Sequence, residues 1–215
     1  MESIRENCQW CYSLHRQVSV DEAMVGFKGC LSMKQYYPMK PTKCGYKVWA
    51  LSDANTGYMY NFAVYCGATS GVTEHGLGAS VVRTMTEPVL EKGHCLFFDN
   101  YFSTVLLAQY LQMKNTYFVA TARMDRTAWP TNLKNMKTPK QHLKRGGHHS
   151  QIFSPGVQCL MWMDKKVVPF INTICNPSSL TPVKRKKDGS TVNVSCPLSV
   201  QLYNKYMREV DMQTS

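Results

Sequence analysis

The sequence predicts an α/β fold: one mixed sheet with flanking helices and a β-rich insertion, within 215 residues. Short apolar or alternating runs over residues 17–27, 47–51 and 58–66 are typical of strands. A helical period follows them, because one helix face would collect Leu77, Val81, Val82, Met85 and Val89. Residues 95–103, CLFFDNYFS, then form a short buried-strand pattern that ends on a carboxylate, Asp99. Ligands gather at the carboxyl ends of strands in open α/β sheets, so Asp99 is the first candidate for chemistry.

The elements before Asp99 are predicted as follows. The first strand, over residues 17–27, carries Asp21 near its middle. The turn-rich residues 52–57 join the second and third strands into a hairpin. Pro88 ends or kinks the helix that comes next, because proline lacks the amide hydrogen that a helix interior needs.

The elements after Asp99 complete a known order. Ser103 or Thr104 caps a second helix, and residues 117–122 form a fifth strand. Three strands, a helix, a strand, a helix and a strand is the element order of a ribonuclease-H-like domain. In that architecture a carboxylate on the first strand lies beside one at the end of the fourth, which matches Asp21 and Asp99.

The amino-acid composition of the sequence changes after residue 126. Seven prolines between positions 130 and 197, with strand-like runs at 157–163 and 167–173, predict a β-rich insertion. Helical periodicity returns over residues 198–211, where Asp211 stands at the end. The predicted organisation is an amino-terminal segment, a ribonuclease-H-like core, the insertion and a carboxy-terminal helix returning to the core, over residues 1–16, 17–126, 127–197 and 198–215.

The charge balance favours a polyanionic partner. Twenty-five Lys and Arg residues stand against 14 Asp and Glu residues, for a formal net charge of +11. Nucleic acid is favoured over membrane, because no amphipathic basic helix and no apolar run of transmembrane length is present. A generic basic, solvated surface is the alternative. The nine cysteines lack regular spacing and are predicted to be reduced thiols of an intracellular protein; Cys8, Cys11 and His15 have half of a zinc-site spacing, without a second pair.

Clustered aspartates in a basic protein predict metal-dependent phosphate chemistry. Carboxylates at close range raise one another's pKa unless a cation lies between them. Hard oxygen ligands select Mg²⁺ or Mn²⁺, and two such ions can activate a water or a 3′-hydroxyl and stabilise the leaving oxygen of a phosphodiester. The alternative is that Asp21 and Asp99 cap turns or pair with lysines.

Four segments resemble piggyBac-type transposases, in the same order along the chain. They are VDEAMVGFKG at residues 20–29 with KQY and PMKP following, FFDNYF at 97–102, TARMDR at 121–126, and YNKYM with Val210 and Asp211 at 203–211. The resemblance implies a ribonuclease-H-like transposase core in which Asp21, Asp99 and Asp211 are the catalytic residues and the ligands of Mg²⁺ or Mn²⁺. It also implies DNA as partner, as transposon ends or TTAA-type targets, and a nuclear location; a homodimer is left open.

The chain departs from the family pattern near its third aspartate. Arg208 and Glu209 replace a small pair, Thr214 replaces a further aspartate, and Cys30 replaces an arginine. The chain also ends at Ser215, before the later helices of relatives. The expectation is a truncated, catalytically impaired cleavage and strand-transfer domain; the alternative is a non-catalytic DNA- or chromatin-binding remnant.

Ten basic residues are candidates for nucleic-acid contact. Four belong to the run PVKRKKDG at residues 182–189, which suits a nuclear import signal or a phosphate-contacting loop, with a solvated turn as the alternative. The candidates are Lys28, Lys34, Lys40, Lys43, Arg123, Arg126, Lys184, Arg185, Lys186 and Lys187.

Overall fold

A computed structural model describes residues 2–67, 76–134, 143–153, 156–176, 178–187 and 189–207. The helices of this part are α1 (Glu2–Trp10), α2 (Leu77–Thr86), α3 (Val105–Met113), α4 (Thr131–Lys134) and α5 (Leu198–Tyr206). The first six strands are β1 (Gln17–Gly26), β2 (Gln35–Tyr36), β3 (Cys44–Asp53), β4 (Met59–Val64), β5 (Cys95–Phe98) and β6 (Tyr117–Thr121). Five more follow: β7 (His148–Phe153), β8 (Val157–Met163), β9 (Val167–Asn172), β10 (Leu180–Lys187) and β11 (Ser190–Pro197).

Nine of these strands form one mixed sheet, which confirms the α/β prediction. From one side to the other the order is β2, β3, β1, β5, β6, β9, β8 and β7, and β4 pairs with β3 beside β2. Strands β1, β5 and β6 are parallel, and the other pairs are antiparallel. Strand β9 covers the open edge of β6, so the segment after residue 126 contributes three strands to the core sheet as well as a separate hairpin of β10 and β11.

The sheet separates two hydrophobic clusters. Val20 and Phe98, both fully buried, face the cluster that contains the apolar residues of α2 and α3. Phe97 faces the opposite cluster, to which α5 and the β10–β11 hairpin contribute. Because side chains alternate along a strand, Asp21 of β1 faces the same side as Phe97 of β5, the side of α5.

The predicted core elements agree with the structure to within a few residues. Strand β1 carries Asp21 as its fifth residue, and β3 and β4 form the predicted hairpin. Thr104 is the cap of α3: its hydroxyl accepts the amide hydrogen of Leu107 at 3.0 Å. A 3-10 turn containing Pro88 follows α2, as the proline requires. Helix α5 begins at Leu198 and is described to Tyr206, so the rest of the predicted helix lies outside the described residues.

Two features differ from the sequence-based expectations. Helix α1 was not predicted; only Ile4, Cys8 and Trp10 among its nine residues are apolar, and none of the nine is buried, so it lacks an apolar stripe wide enough to reveal it. The basic run expected in a loop lies mostly on strand β10, because its residues pair with β11 from Leu180 to Lys187. No helix among the described residues is long and apolar enough to cross a membrane.

Candidate functional site

Asp21 lies on β1, and Asp99 directly follows β5, the parallel strand next to it. Val20 of β1 is aligned with Phe98 of β5, so the residues that follow them stand at the same level. Adjacent strands are about 4.8 Å apart, so the backbones at the two positions are neighbours. We call this pair of positions the acidic edge. The backbones of two of the three predicted site residues thus lie at the same level, and Asp211 lies outside the described residues.

The turn after β5 is held by its own backbone and by Arg126. The Asp99 Oδ1 accepts the amide hydrogen of Tyr101 at 2.8 Å. Arg126 donates from Nη2 to the carbonyl oxygens of Asn100 and Tyr101, at 3.2 and 2.7 Å. Arg126 was predicted to contact nucleic acid; in the structure its guanidinium fixes the turn that carries Asp99.

The pKa of Asp99 is raised. Burial of the carboxylate is the largest cause, and the nearby Glu22 carboxylate raises the pKa further. The amide hydrogens of Tyr101 and Phe102 and the charge of Lys40 act in the opposite direction without reversing the shift. Burial and the Glu22 carboxylate thus disfavour the ionised form of Asp99, and a bound cation would favour it.

Glu22 and Lys47 form an ion pair beside the acidic edge that the sequence analysis missed. The Lys47 Nζ lies 2.7 Å from Glu22 Oε2, and only 9% of the Lys47 side chain is exposed. The same Nζ lies 4.0 Å from the centroid of the Trp49 ring. Sequence offered one signal: Glu22 follows Asp21, and β3 presents Lys47 and Trp49 at period two on the facing strand.

A cavity opens beside this ion pair. Its volume is about 330 Å³. It is lined by Glu22, Gln35, Tyr37, Lys47, Trp49, Tyr65, Leu77 and Tyr101. Trp49 and Tyr101 stack with ring centroids 5.7 Å apart, so the turn after β5 forms one wall of this aromatic space.

The donors at the acidic edge fit a magnesium-type ion. Mg²⁺ is commonly bound by one or two protein carboxylates, and waters and substrate phosphates complete its coordination. Two neighbouring aspartates can provide the carboxylates. Such an ion would also stabilise the ionised form of Asp99, which burial disfavours. Within the described ranges no group of three His, Cys, Asp or Glu side chains is placed to hold a metal, so the described donors are these two carboxylates.

Most basic candidates near the acidic edge have partners. Arg123 forms a two-pronged pair with Asp125, with Nη2 2.7 Å from Oδ2. Lys34 donates to the carbonyl oxygen of Gly29 at 3.2 Å. The Nζ of Lys40 lies 3.9 Å from Glu22. Lys28 and Lys43 are exposed in the same loop.

The basic candidates of strand β10 are arranged differently. Lys184 and Lys186 are exposed, and Arg185 between them turns toward the sheet and donates from Nε to Asp164 at 3.1 Å. The side chain of Lys187 lies outside the described part. The strand thus presents two lysines to solvent and anchors itself through the arginine between them.

Comparison with known proteins gives consistent results. The profile of a family described as Transposase IS4 matches residues 1–215. The chain is 30% identical over 189 residues to the human PiggyBac transposable element-derived protein 2, covering 84% of this chain and 31% of that protein. It is also similar to a piggyBac transposase seen by cryo-electron microscopy in a synaptic complex with hairpin DNA, with a TM-score of 0.79 and 24% identity, over 98% of this chain and 42% of that one.

The structural likeness confirms the ribonuclease-H-like fold. The chain spans about a third of the length of the human relative and less than half of the structural neighbour. The similarity therefore extends over nearly all of this chain but only part of each relative.

Proposed function

We propose that this chain binds DNA and holds a divalent cation at its acidic edge. The premise is that the chain belongs to the Transposase IS4 family and derives from a piggyBac-type transposase. The observation that carries the proposal is the parallel register of Val20 with Phe98, which brings the backbones at positions 21 and 99 to the same level. DNA is supported by the synaptic complex of the structural neighbour and by the net charge of +11.

In this proposal Asp21 and Asp99 hold Mg²⁺ or Mn²⁺, with Asp211 as a third ligand on the strength of the sequence resemblance. Bound there, the ion would activate a water or a 3′-hydroxyl and stabilise the leaving oxygen of a phosphodiester. Arg126 donates to the carbonyl oxygens of Asn100 and Tyr101 and so holds the turn that begins at Asp99. Lys47 neutralises Glu22, which limits the repulsion that Glu22 exerts on Asp99.

Catalytic impairment is part of the proposal and rests on sequence alone. Arg208 and Glu209 stand where relatives have a small pair, and Thr214 stands where they have another aspartate; all three lie outside the described residues. Slow cleavage without efficient strand transfer is the expected activity. The second candidate, a DNA-binding protein without catalysis, is favoured by the concentration of positive charge away from the acidic edge, described below.

Metal binding and nicking test the proposal together. We expect Mg²⁺ to raise the melting temperature of the wild-type protein and to support nicking of a hairpin or transposon-end oligonucleotide. Asp99→Asn removes a ligand charge, so both effects should be lost, with nicking reduced about 100-fold because metal stabilisation of the transition state is worth several kcal/mol. Thermal unfolding with and without Mg²⁺ and a gel assay for nicked product measure the two effects.

Asp125→Asn is the matched control. Asp125 is an exposed carboxylate paired with Arg123, so this substitution removes the same charge without touching the acidic edge. Its melting shift with Mg²⁺ and its nicking should equal those of the wild type. Absence of any Mg²⁺ effect in the wild type would contradict the metal site, and salt-dependent DNA binding with no nicking would support the second candidate.

A nuclear location and a homodimer complete the proposal as predictions. The nuclear location follows from DNA as the partner. A fluorescent fusion of the chain, imaged beside a DNA stain, measures the location, and sedimentation measures the mass of the particle. Cytoplasmic fluorescence would contradict the location proposed here.

A further inference from the structure

Positive charge is concentrated in one segment of the chain. Residues 127–197 contain eleven of the 25 Lys and Arg residues but only two of the 14 Asp and Glu residues. This segment therefore supplies nine of the eleven net positive charges. The core over residues 17–126, which holds the acidic edge, is close to neutral by comparison.

One carboxylate organises the described part of this charge. The Asp164 Oδ1 accepts hydrogen bonds from Nε and Nη2 of Arg145, at 3.0 and 2.9 Å, and its Oδ2 accepts one from Nε of Arg185 at 3.1 Å. Arg145 also donates from Nη1 to the carbonyl oxygen of Lys186 at 3.3 Å. Asp164 thus joins three chain segments: the turn after β8, the residues before β7, and strand β10. Asp188, the other acid of the segment, lies outside the described residues.

Exposed lysines surround this ion-pair cluster. Lys165 and Lys166 lie in the turn after β8, next to Asp164, and Lys144 precedes Arg145. Lys184 and Lys186 alternate with Arg185, so they point away from the sheet while the arginine points toward Asp164. We call these five exposed residues the lysine face: Lys144, Lys165, Lys166, Lys184 and Lys186.

The lysine face lies at the same end of the sheet as the acidic edge. In the β6–β9 pair Thr121 is aligned with Phe170, and in the β8–β9 pair Met163 is aligned with Val167. The turn after β8 is therefore three strands away from β5, and it lies about four residues beyond the level of Asp99 in the direction in which β5 runs. Strand spacing and rise convert this to about 20 Å. Duplex DNA advances 3.4 Å per base pair, so 20 Å corresponds to about six base pairs.

We infer that the lysine face binds the phosphates of duplex DNA about six base pairs from the phosphodiester held at the acidic edge. Lys184 and Lys186 are about 6.7 Å apart along β10, which is two steps of the 3.4 Å axial rise of duplex DNA. The inference takes DNA as partner from the proposed function, but its site is independent of the metal. It concerns binding and positioning of DNA, with no part in the chemical step.

The contacts of the basic residues favour this face over the loop near the acidic edge. Lys34 is hydrogen-bonded to Gly29, and Lys40 lies near Glu22. Arg123 is neutralised by Asp125. Next to the lysine face, the guanidiniums of Arg145 and Arg185 share the charge of Asp164. The five lysines themselves are exposed to solvent. Exposed cations around an ion-paired support suit a phosphate backbone, which offers charge without requiring a fixed side-chain geometry.

The test measures binding of two hairpin-ended DNAs in EDTA, one with a duplex arm of about 5 base pairs and one of about 16, over a series of salt concentrations. Lys184→Ala with Lys186→Ala should weaken binding of the long arm about 10- to 100-fold near 0.1 M salt. The slope of log affinity against log salt should fall by about two, because two phosphate contacts are lost. Binding of the short arm should change little. Lys165→Ala with Lys166→Ala tests the same face from the turn after β8 and should have the same effect.

Lys92→Ala with Lys114→Ala is the charge-matched control. Lys92 lies just before β5 and Lys114 just after α3, away from the lysine face, so the slope should stay at the wild-type value. Asp99→Asn should also keep the wild-type slope, and both lysine-face variants should keep the melting shift with Mg²⁺, which separates this inference from the metal site. An unchanged salt slope in both lysine-face variants would overturn the inference that this face binds DNA. That result is expected if the lysines instead bind an acidic groove on another protein. Equal losses on both arms would overturn the six-base-pair placement.

Discussion

At the scale of single residues, Asp53 shows what a buried carboxylate does in this core. Its side chain is fully buried at the end of β3. Burial alone would raise its pKa, but hydrogen bonds from the backbone of His15, Asn55 and Thr56 and from the His15 ring lower it below the ordinary value of 3.8. Asp53 thereby joins the segment after α1 to the β3–β4 turn.

Loss of the Asp53 charge should destabilise the fold. Because its folded-state pKa is depressed, its contribution is complete above pH 3.8 and is lost as pH falls through the lower, folded-state value. Asp53→Asn should lower the free energy of unfolding by about 2 kcal/mol at pH 7. Urea unfolding between pH 7 and pH 2 measures this, and the variant should lose less stability than the wild type over the acid range. Equal acid dependence of the two proteins would contradict the assignment.

Lys47 and Glu22 give a second residue-scale prediction. Lys47→Met leaves Glu22 without its close partner beside Asp99, so the free energy of unfolding should fall by about 3 kcal/mol. Adding Glu22→Gln removes the uncompensated charge and should recover part of the loss. Urea unfolding of both single variants and the double variant gives the coupling energy. Additive losses would show that the pair does not act as a unit.

At the scale of elements, the β10–β11 hairpin forms a sheet of its own and depends on side chains for its attachment. Its apolar side, with Val183 and Val194, packs in the cluster on the α5 side of the sheet. Trp162 donates from Nε1 to the carbonyl oxygen of Ser195 at 3.0 Å. Asp164 adds the pairs to Arg145 and Arg185, whose side chains are largely buried with it.

Asp164→Asn should loosen this hairpin without unfolding the core. The two arginines lose the negative charge of their acceptor, and an amide offers one acceptor oxygen where the carboxylate offers two, so we expect a loss of about 1–2 kcal/mol. Amide hydrogen exchange should quicken in β10 and β11 and stay unchanged in β1 and β5. Asp125→Asn, which breaks an exposed pair, is the control and should leave exchange in the hairpin unaltered. Faster exchange throughout the sheet would contradict the local role of Asp164.

The elements also show which structures local pattern can predict. Strand β5 was predicted from four consecutive apolar residues, and all four are buried. Helix α1 is mostly polar and has no buried residue, so too few apolar residues marked it. Strand β10 carries lysines and arginines that favour a loop by composition, yet it is a strand because β11 supplies its backbone partners and Asp164 supplies a charge partner for Arg185.

At the scale of the whole molecule, charge of opposite sign is separated along one end of the sheet. The acidic edge carries adjacent aspartates and a raised pKa at Asp99. The lysine face lies about 20 Å away by strand count and rise. A DNA duplex spanning both would meet cations along its backbone and a metal-binding pair of carboxylates at one phosphodiester, which is the arrangement that the two proposals together describe.

The sequence by itself determined the order of the core elements, the choice of Asp21 and Asp99 as candidate site residues, and the family to which their motifs belong. These depend on local periodicity and on short motifs, which a single chain displays directly. Tertiary structure decided the register of β1 with β5, the pairing of Glu22 with Lys47 and the gathering of Arg145 and Arg185 around Asp164. Each joins residues more than fifteen positions apart, and such contacts follow from how the strands pack rather than from any local pattern.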